Sequence, residues 1–174
     1  MPIFFKTMAK NAGVSTNLAD SYWGYATSIA TLIIASFAPV LGTIGDYRNM
    51  KMRLFKFFLL IGVAATAALF FAGQWSSILI VYIVTIIGFS GANLFYDAFL
   101  TGVTTEERMD YVSTYGFALG YIGGSTIPFI IAIAHIMFGN KIGISTILAT
   151  KLSFMLTALW WAVFRLYPGL ISVK

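Results

Sequence analysis

Few residues in this 174-residue chain have side chains that could do chemistry. Cysteine is absent, which excludes thiolate metal sites and a cysteine nucleophile. Histidine occurs once, at His135, and a lone histidine is a poor metal ligand. The sequence contains no HExxH, GxSxG or phosphate-binding glycine motif. We therefore expect no enzymatic activity, no metal site and no cofactor.

The densest group of polar residues is a short loop that follows an uncharged stretch. The loop contains small, acidic and basic residues in close succession: Gly42, Asp46, Arg48, Lys51 and Arg53. A small residue lets two helices approach closely, and a carboxylate is favoured at the N-terminal end of an opposing helix. The basic residues can bind lipid phosphates or pair with carboxylates on neighbouring helices. This pattern predicts a contact point between helix ends.

A second polar group lies near the end of a later apolar run. Asp97 is a carboxylate close to membrane depth, where an ionisable group is costly and is a functional candidate by default. The alternative is an interfacial aspartate that pairs structurally. Asn93 lies one helical turn earlier, on the same face as Asp97. A narrow polar stripe is predicted there, with an interhelical hydrogen bond as the simpler role for Asn93.

Glycines repeat at four-residue spacing further along the chain. The set is Gly116, Gly120 and Gly124, with Gly123 beside them. Such spacing makes one face of a helix flat, so that a neighbouring backbone can approach closely. We predict helix packing on this face, and a kink at Pro128 in the same helix.

The composition shows what must position these residues. Hydrophobic residues make up 59% of the chain and charged residues only 10%, and the mean hydropathy is +0.88. A soluble domain carries about 25% charged residues. Residues 21–45, 57–96 and 111–140 carry no charge, and each run reaches the roughly 20 residues that cross a bilayer as a helix. The chain is predicted to be an all-α membrane protein, which excludes soluble enzymes and nucleic-acid binders.

Turn signals divide the apolar runs into five predicted spans within a single transmembrane domain, residues 1–174. Asp20 is predicted to cap the first span, and Tyr167-Pro168-Gly169 to close the last. The spans cover about 21–45, 54–72, 77–100, 112–138 and 144–166.

The placement of Lys and Arg predicts the orientation of these spans. One side, with the 46–53 loop, carries more basic residues in short loops and is predicted to be cytoplasmic. The same rule accounts for the net charge of +5 without a nucleic-acid partner. An odd number of spans then leaves the N-terminus outside, which predicts a preceding helix that this chain lacks.

The loop Gly42-Thr43-Ile44-Gly45-Asp46-Tyr47-Arg48-Asn49-Met50-Lys51 resembles the loop between helices 2 and 3 of the major facilitator superfamily. Asn49 stands where that family usually has glycine, and asparagine also tolerates a left-handed turn. Three longer stretches resemble the vacuole-effluxer-like (autophagy-related) branch and its bacterial relatives. They are IFFKTMAKNAGVSTNLADSYWGYATSIATLIIASFAPVLGTIGDYR, ANLFYDAFL and MDYVSTYGFALGYIGG.

The resemblance implies that the chain corresponds to helices 2 to 6 of a twelve-helix fold, without helix 1. It implies secondary transport of a small solute, such as an amino acid, across the inner membrane by alternating access. The implied partner is the other transporter half or another copy of the chain. The loop residues and Asp97 would then form a cytoplasmic gate, in which Asp97 pairs with Arg53, Lys51 or Arg48. Asn93 and Tyr96 would line the pathway.

Two other interpretations of the chain remain. In the first, the chain does not transport and is a remnant, or a structural or regulatory subunit. In the second, it is a small carrier built from several copies of itself.

Overall fold

The computed structural model describes residues 1–99 and 104–171, with side chains as far as residue 164. Regular structure in these residues is helical, which confirms the all-α class. The helices are α1 (Pro2–Asn11), α2 (Thr16–Gly45), α3 (Met50–Ala68), α4 (Trp75–Ala98), α5 (Met109–Leu119), α6 (Ile127–Phe138) and α7 (Thr146–Ile171). A π-helical segment, Gly120–Thr126, joins α5 to α6.

The long helices follow the predicted spans, with differences at their ends. Ser15 is the N-cap of α2, so the prediction that Asp20 caps this helix is wrong. Asp20 lies inside α2 and forms an ion pair with Lys6 of α1. Helix α7 continues past the predicted stop at Pro168, because a proline removes one backbone donor without ending every helix. Leu100, the last residue of the predicted third span, lies outside the described residues.

Four helical stretches are long and apolar enough to cross a membrane, by length and composition alone: Thr16–Gly45, Trp75–Ala98, Glu106–Ile142 and Thr146–Phe164. Helix α3 is as long as the last of these stretches, but it differs because three basic residues, Lys51, Arg53 and Lys56, occupy its first two turns. The chain is therefore a multi-pass membrane protein. The number of crossings and their boundaries stay predictions.

Helices α3 and α4 form the most extensive contact between helices, and glycines make it close. A Cβ atom at Gly88 would lie 2.4 Å from the backbone nitrogen of Gly62. A Cβ at Gly91 would lie 2.3 Å from the Phe58 ring. Helix α2 packs on α4, and α7 packs on α3. Gly62 and Gly88 thus let α3 and α4 approach at backbone distance, and Gly91 leaves room for the Phe58 ring.

Buried side chains form two clusters at opposite ends of this bundle. One lies at the end that holds the 46–49 turn, which we call the motif end, and it includes Phe55, Leu59 and Phe95. The other includes Phe5 of α1 and Ile78 of α4. The ends of α2, α3 and α4 are therefore held by separate cores.

The helix formed by α5, the π segment and α6 lies at the periphery and packs mainly on α7. Among the described residues, no atom comes within 4 Å of a Cβ placed on the four predicted packing glycines, Gly116, Gly120, Gly123 and Gly124. Within the described residues, the face that carries Gly116, Gly120 and Gly124 is therefore bare. The closely packed glycines are instead on α3 and α4, where neighbouring backbones cross.

Candidate functional site

The turn at the motif end joins α2 to α3 and positions the predicted gate residues. Helix α2 ends at Gly45, and the backbone N–H of Asp46 donates to the Gly42 carbonyl at 3.2 Å. Asn49 has a left-handed φ of 65°, and Met50 begins α3. Asparagine adopts this conformation more readily than most residues, so the sequence allows a tight reversal here.

A glycine brings this turn close to α4, although it is not the glycine that we predicted. A Cβ at Gly45 would lie 2.9 Å from the Phe95 ring, whereas one at Gly42 would have no described atom within 4 Å. Phe95 is buried, and its ring packs beside that of Phe58 with centroids 6.1 Å apart. The end of α2 therefore lies directly on the aromatic core between α3 and α4.

Lys51 connects the start of α3 to the end of α4. Its Nζ donates to the carbonyl oxygen of Ala98, the last residue of α4, at 3.2 Å. The final carbonyls of a helix lack partners inside the helix and carry partial negative charge, which favours a cation there. Lys51 therefore caps the C-terminus of α4.

A small cavity of about 160 Å³ lies between these elements. Three predicted gate residues line it, Gly42, Asp46 and Lys51, together with Gly45 and three residues of α4: Leu94, Phe95 and Ala98. One carboxylate and one ammonium group thus border the same space. The structure brings two charged residues of the predicted motif, Asp46 and Lys51, against the end of α4.

The other predicted gate residues lie outside this cavity. Arg48 and Arg53 are exposed, and so is Asp97. Within residues 1–99 and 104–164 the ion pair is Lys6–Asp20, so Asp97 does not form the expected pair with a basic residue of the turn. Lys51 meets the end of the α4 backbone instead, because Asp97 lies on the exposed face of that helix. The gate role of these residues stays a prediction.

The two predicted pathway residues lie on the less covered side of α4. Asn93 is half-buried, and 46% of Tyr96 is exposed. Phe89 belongs to the same side, and its ring lies 5.6 Å from that of Trp161 on α7.

Aromatic residues gather at the end opposite the motif end. The Trp23 and Tyr82 rings stack with centroids 4.0 Å apart, and Tyr22 stacks on Trp75 at 5.4 Å. An open groove of about 280 Å³ runs beside them between α2 and α4. Phe5 of α1 packs on the same cluster, so the aromatic residues join α1, α2 and α4.

Sequence reasoning missed several residues that the structure makes important. Gly62, Gly88 and Gly91 bring helices together, and the spacing of Gly88, Gly91 and Ala92 on one face of α4 was a usable signal. Trp160 was also missed. Its indole Nε1 donates to the Gly123 carbonyl at 2.9 Å, a contact between residues distant in sequence.

Comparisons with known proteins agree with the resemblance drawn from the motifs. Residues 6–106 match the family described as vacuole effluxer Atg22 like. The chain is also 50% identical over 169 residues to a Bacillus subtilis (strain 168) protein described as the uncharacterized MFS-type transporter YxiO. That match covers 95% of this chain and 39% of the relative. No solved structure matches the chain.

Proposed function

Because the chain belongs to the vacuole effluxer Atg22-like family, we propose that it forms part of a secondary transporter working by alternating access. The observation that carries this proposal is the 50% identity, over 95% of the chain, to an MFS-type transporter. The transported molecule is a small solute, and amino acids are the first class to test. The site of action is the cell's inner membrane.

The motif end supports a role in gating. Lys51, at the start of α3, hydrogen-bonds to the end of α4, and Gly45 lets the end of α2 pack on Phe95. These contacts make the ends of α2, α3 and α4 one block. Asp46 and Arg48 are exposed beside this block. In an assembled carrier, the Asp46 carboxylate is suited to a helix N-terminus of the other half, which would hold the gate closed in one state.

The uncovered surfaces support a role for a further partner. The chain spans 39% of the length of its relative YxiO, and the glycine face of the α5–α6 helix is bare. Substrate sites in such transporters lie near the midplane between two halves. The Asn93 and Tyr96 side of α4 would then supply one wall of the pathway, with the second wall contributed by the other half.

The bare glycine face also favours a second candidate function, a carrier assembled from copies of this chain. A non-transporting subunit is the third interpretation. Light scattering of the detergent-purified chain, followed by uptake of radiolabelled amino acids into proteoliposomes, separates them. A monomer without flux excludes the self-assembled carrier, whereas a defined oligomer with flux supports it.

A chimera tests the main proposal directly. The matched segment of YxiO is replaced by this chain, and uptake is compared with that of intact YxiO. We expect uptake within a few-fold of intact YxiO, because the two segments are 50% identical. In the same chimera, Asp46→Asn should lower uptake about tenfold, which is the effect of losing a contact of about 1.4 kcal/mol. Thr43→Ala, at an exposed position in the last turn of α2, serves as the control. A folded chimera without uptake, beside active YxiO, would overturn the proposal.

A further inference from the structure

The helix over residues 109–138 changes its hydrogen-bond pattern midway. Between Gly120 and Thr126 it is π-helical, and α-helical geometry resumes at Ile127. The backbone N–H of Ile127 donates to the Ile122 carbonyl, five residues back. The Thr126 hydroxyl likewise donates to the Tyr121 carbonyl at 2.9 Å. Such segments are rare, occur mostly as single turns within α-helices, and often lie at functional sites.

This geometry leaves the Gly123 carbonyl without a backbone donor. In an α-helix its donor would be the N–H of Ile127, which is used by Ile122 instead. In a continued π-helix its donor would be residue 128, and Pro128 has no N–H. An unsatisfied carbonyl within an apolar, membrane-spanning stretch is costly, so a donor from elsewhere is needed.

Trp160 of α7 supplies that donor. Its Nε1 donates to the Gly123 carbonyl at 2.9 Å, and its ring stacks on Phe164 with centroids 4.8 Å apart. On the other side, the glycine face that includes Gly116 and Gly120 meets no described atom within 4 Å of a Cβ. The indole therefore contacts the π segment from α7, while a Cβ at Gly116 or Gly120 would meet open space.

We propose that the π segment is a hinge between α5 and α6, and that the Trp160–Gly123 hydrogen bond is the latch that sets its bend. With the bond made, the hinge has one backbone arrangement. With the bond broken, the Gly123 carbonyl must find another donor, which requires the helix to shift register locally and α5 to swing relative to α6. The use of this hinge in alternating access rests on the proposed function, whereas the latch itself does not.

Pulsed electron paramagnetic resonance measures the bend without any transport assay. The chain has no cysteine, so spin labels can be placed uniquely. Phe117→Cys on α5 and Ile133→Cys on α6 replace exposed residues on either side of the π segment, about 24 Å apart along a straight helix. The labelled full chain is measured in lipid nanodiscs. We expect Trp160→Phe, which keeps an aromatic ring and removes the donor, to broaden the distance distribution about twofold.

Trp161→Phe is the matched control. It makes the same chemical change one residue later, where the ring packs against Gly62 and Phe89 rather than on the Gly123 carbonyl. We expect the label distances to stay as in the parent chain. An equal broadening by Trp161→Phe, or no broadening by Trp160→Phe, would overturn the latch.

Pro128→Ala provides a second, independent test. It restores a backbone N–H at residue 128, five residues after Gly123, so that the Gly123 carbonyl gains a donor from its own helix while the π register is kept. Trp160→Phe should then have little effect in the Pro128→Ala background, which is the coupling that a double-mutant cycle measures. Equal effects of Trp160→Phe in both backgrounds would show that the ring acts by packing alone and would refute the proposal. Because no solute is present, these outcomes are independent of whether the chain transports.

Discussion

At the residue scale, the predicted gate depends on which group each basic side chain meets. Lys51 binds the end of the α4 backbone, whereas Arg53, two residues later on α3, is exposed. The difference arises because the Lys51 ammonium reaches the Ala98 carbonyl at the C-terminus of α4, where the partial negative charge of the helix end favours a cation. Similar charges in one motif therefore have different roles.

Replacing Lys51 by Gln should destabilise the protein by about 1 kcal/mol, because a charge-assisted cap on α4 is lost. Arg53→Gln is the control, and an exposed substitution of this kind is expected to change stability by less than about 0.5 kcal/mol. Thermal unfolding in detergent measures both. Equal effects of the two variants would contradict the capping role of Lys51.

Glycine substitutions distinguish the two glycine groups. Gly88→Ala should destabilise by about 1–3 kcal/mol, because its Cβ would lie 2.4 Å from the Gly62 backbone nitrogen. Gly116→Ala places its Cβ in open space and should stabilise the helix by as much as about 1 kcal/mol. The comparison is made by thermal unfolding of the two purified variants.

The effect of Gly116→Ala on an assembled carrier would test whether the glycine face contacts a partner. If Gly116→Ala instead impaired an assembled carrier while leaving the isolated chain stable, the glycine face would be identified as a contact with the partner. A loss of stability in the isolated chain would contradict the bare face.

At the element scale, α1 is the shortest of the described α-helices. It lies at the end opposite the motif end, where two kinds of contact hold it. Phe5 is fully buried against Trp23 and Trp75, and Lys6 pairs with Asp20 of α2. Burial dominates, because exposed ion pairs contribute about 0–1 kcal/mol and weaken in salt. The aromatic contacts therefore decide whether α1 stays docked.

Phe5→Ala should cost about 3–5 kcal/mol and release α1 from α2 and α4. Ile3→Ala is the control, since 81% of Ile3 is exposed. Amide hydrogen exchange across residues 2–11 measures the docking. Fast exchange in this segment is expected for Phe5→Ala alone, and protection that matches the parent chain would show that α1 does not depend on this ring.

The Lys6–Asp20 ion pair should contribute less to stability than Phe5, and its contribution should depend on salt. Asp20→Asn should lower the stability by less than about 1 kcal/mol, and the loss should shrink as salt is raised. Thermal unfolding at low and high salt measures it. If Asp20→Asn lowered the stability more than Phe5→Ala, the ion pair would be the stronger of the two contacts that hold α1.

At the scale of the whole molecule, the ends of the bundle should lie on opposite sides of the membrane. Basic residues at the motif end predict a cytoplasmic location for the 46–49 turn, and the α3–α4 hairpin should then face outward. Single cysteines at Tyr47 and Gln74 test this, because both positions are exposed and the chain has no other cysteine. A membrane-impermeant maleimide should label Gln74→Cys in intact cells and Tyr47→Cys only in inverted vesicles. The reverse pattern would invert the predicted orientation.

The sequence by itself determined the class of the molecule. Long uncharged runs leave no alternative to burial in lipid, and helices satisfy their own backbone groups there, so the all-α membrane fold followed from composition. The 42–51 loop indicated the superfamily, because a glycine, a carboxylate and basic residues in a tight turn form a local pattern, and three longer stretches indicated the vacuole-effluxer-like branch. Local patterns are visible in sequence because they need no partner distant along the chain.

Only the tertiary structure decided which residues meet. The glycine repeat at 116–124 predicted packing, yet the close contacts are at Gly62 and Gly88, because packing depends on which helix lies opposite. Asp97 was expected to bind a basic residue, but Lys51 caps the α4 backbone. Trp160 shows the same principle: its partner is a carbonyl exposed by a π-helical turn and a proline 32 or more residues away, and neither composition nor periodicity describes such a contact.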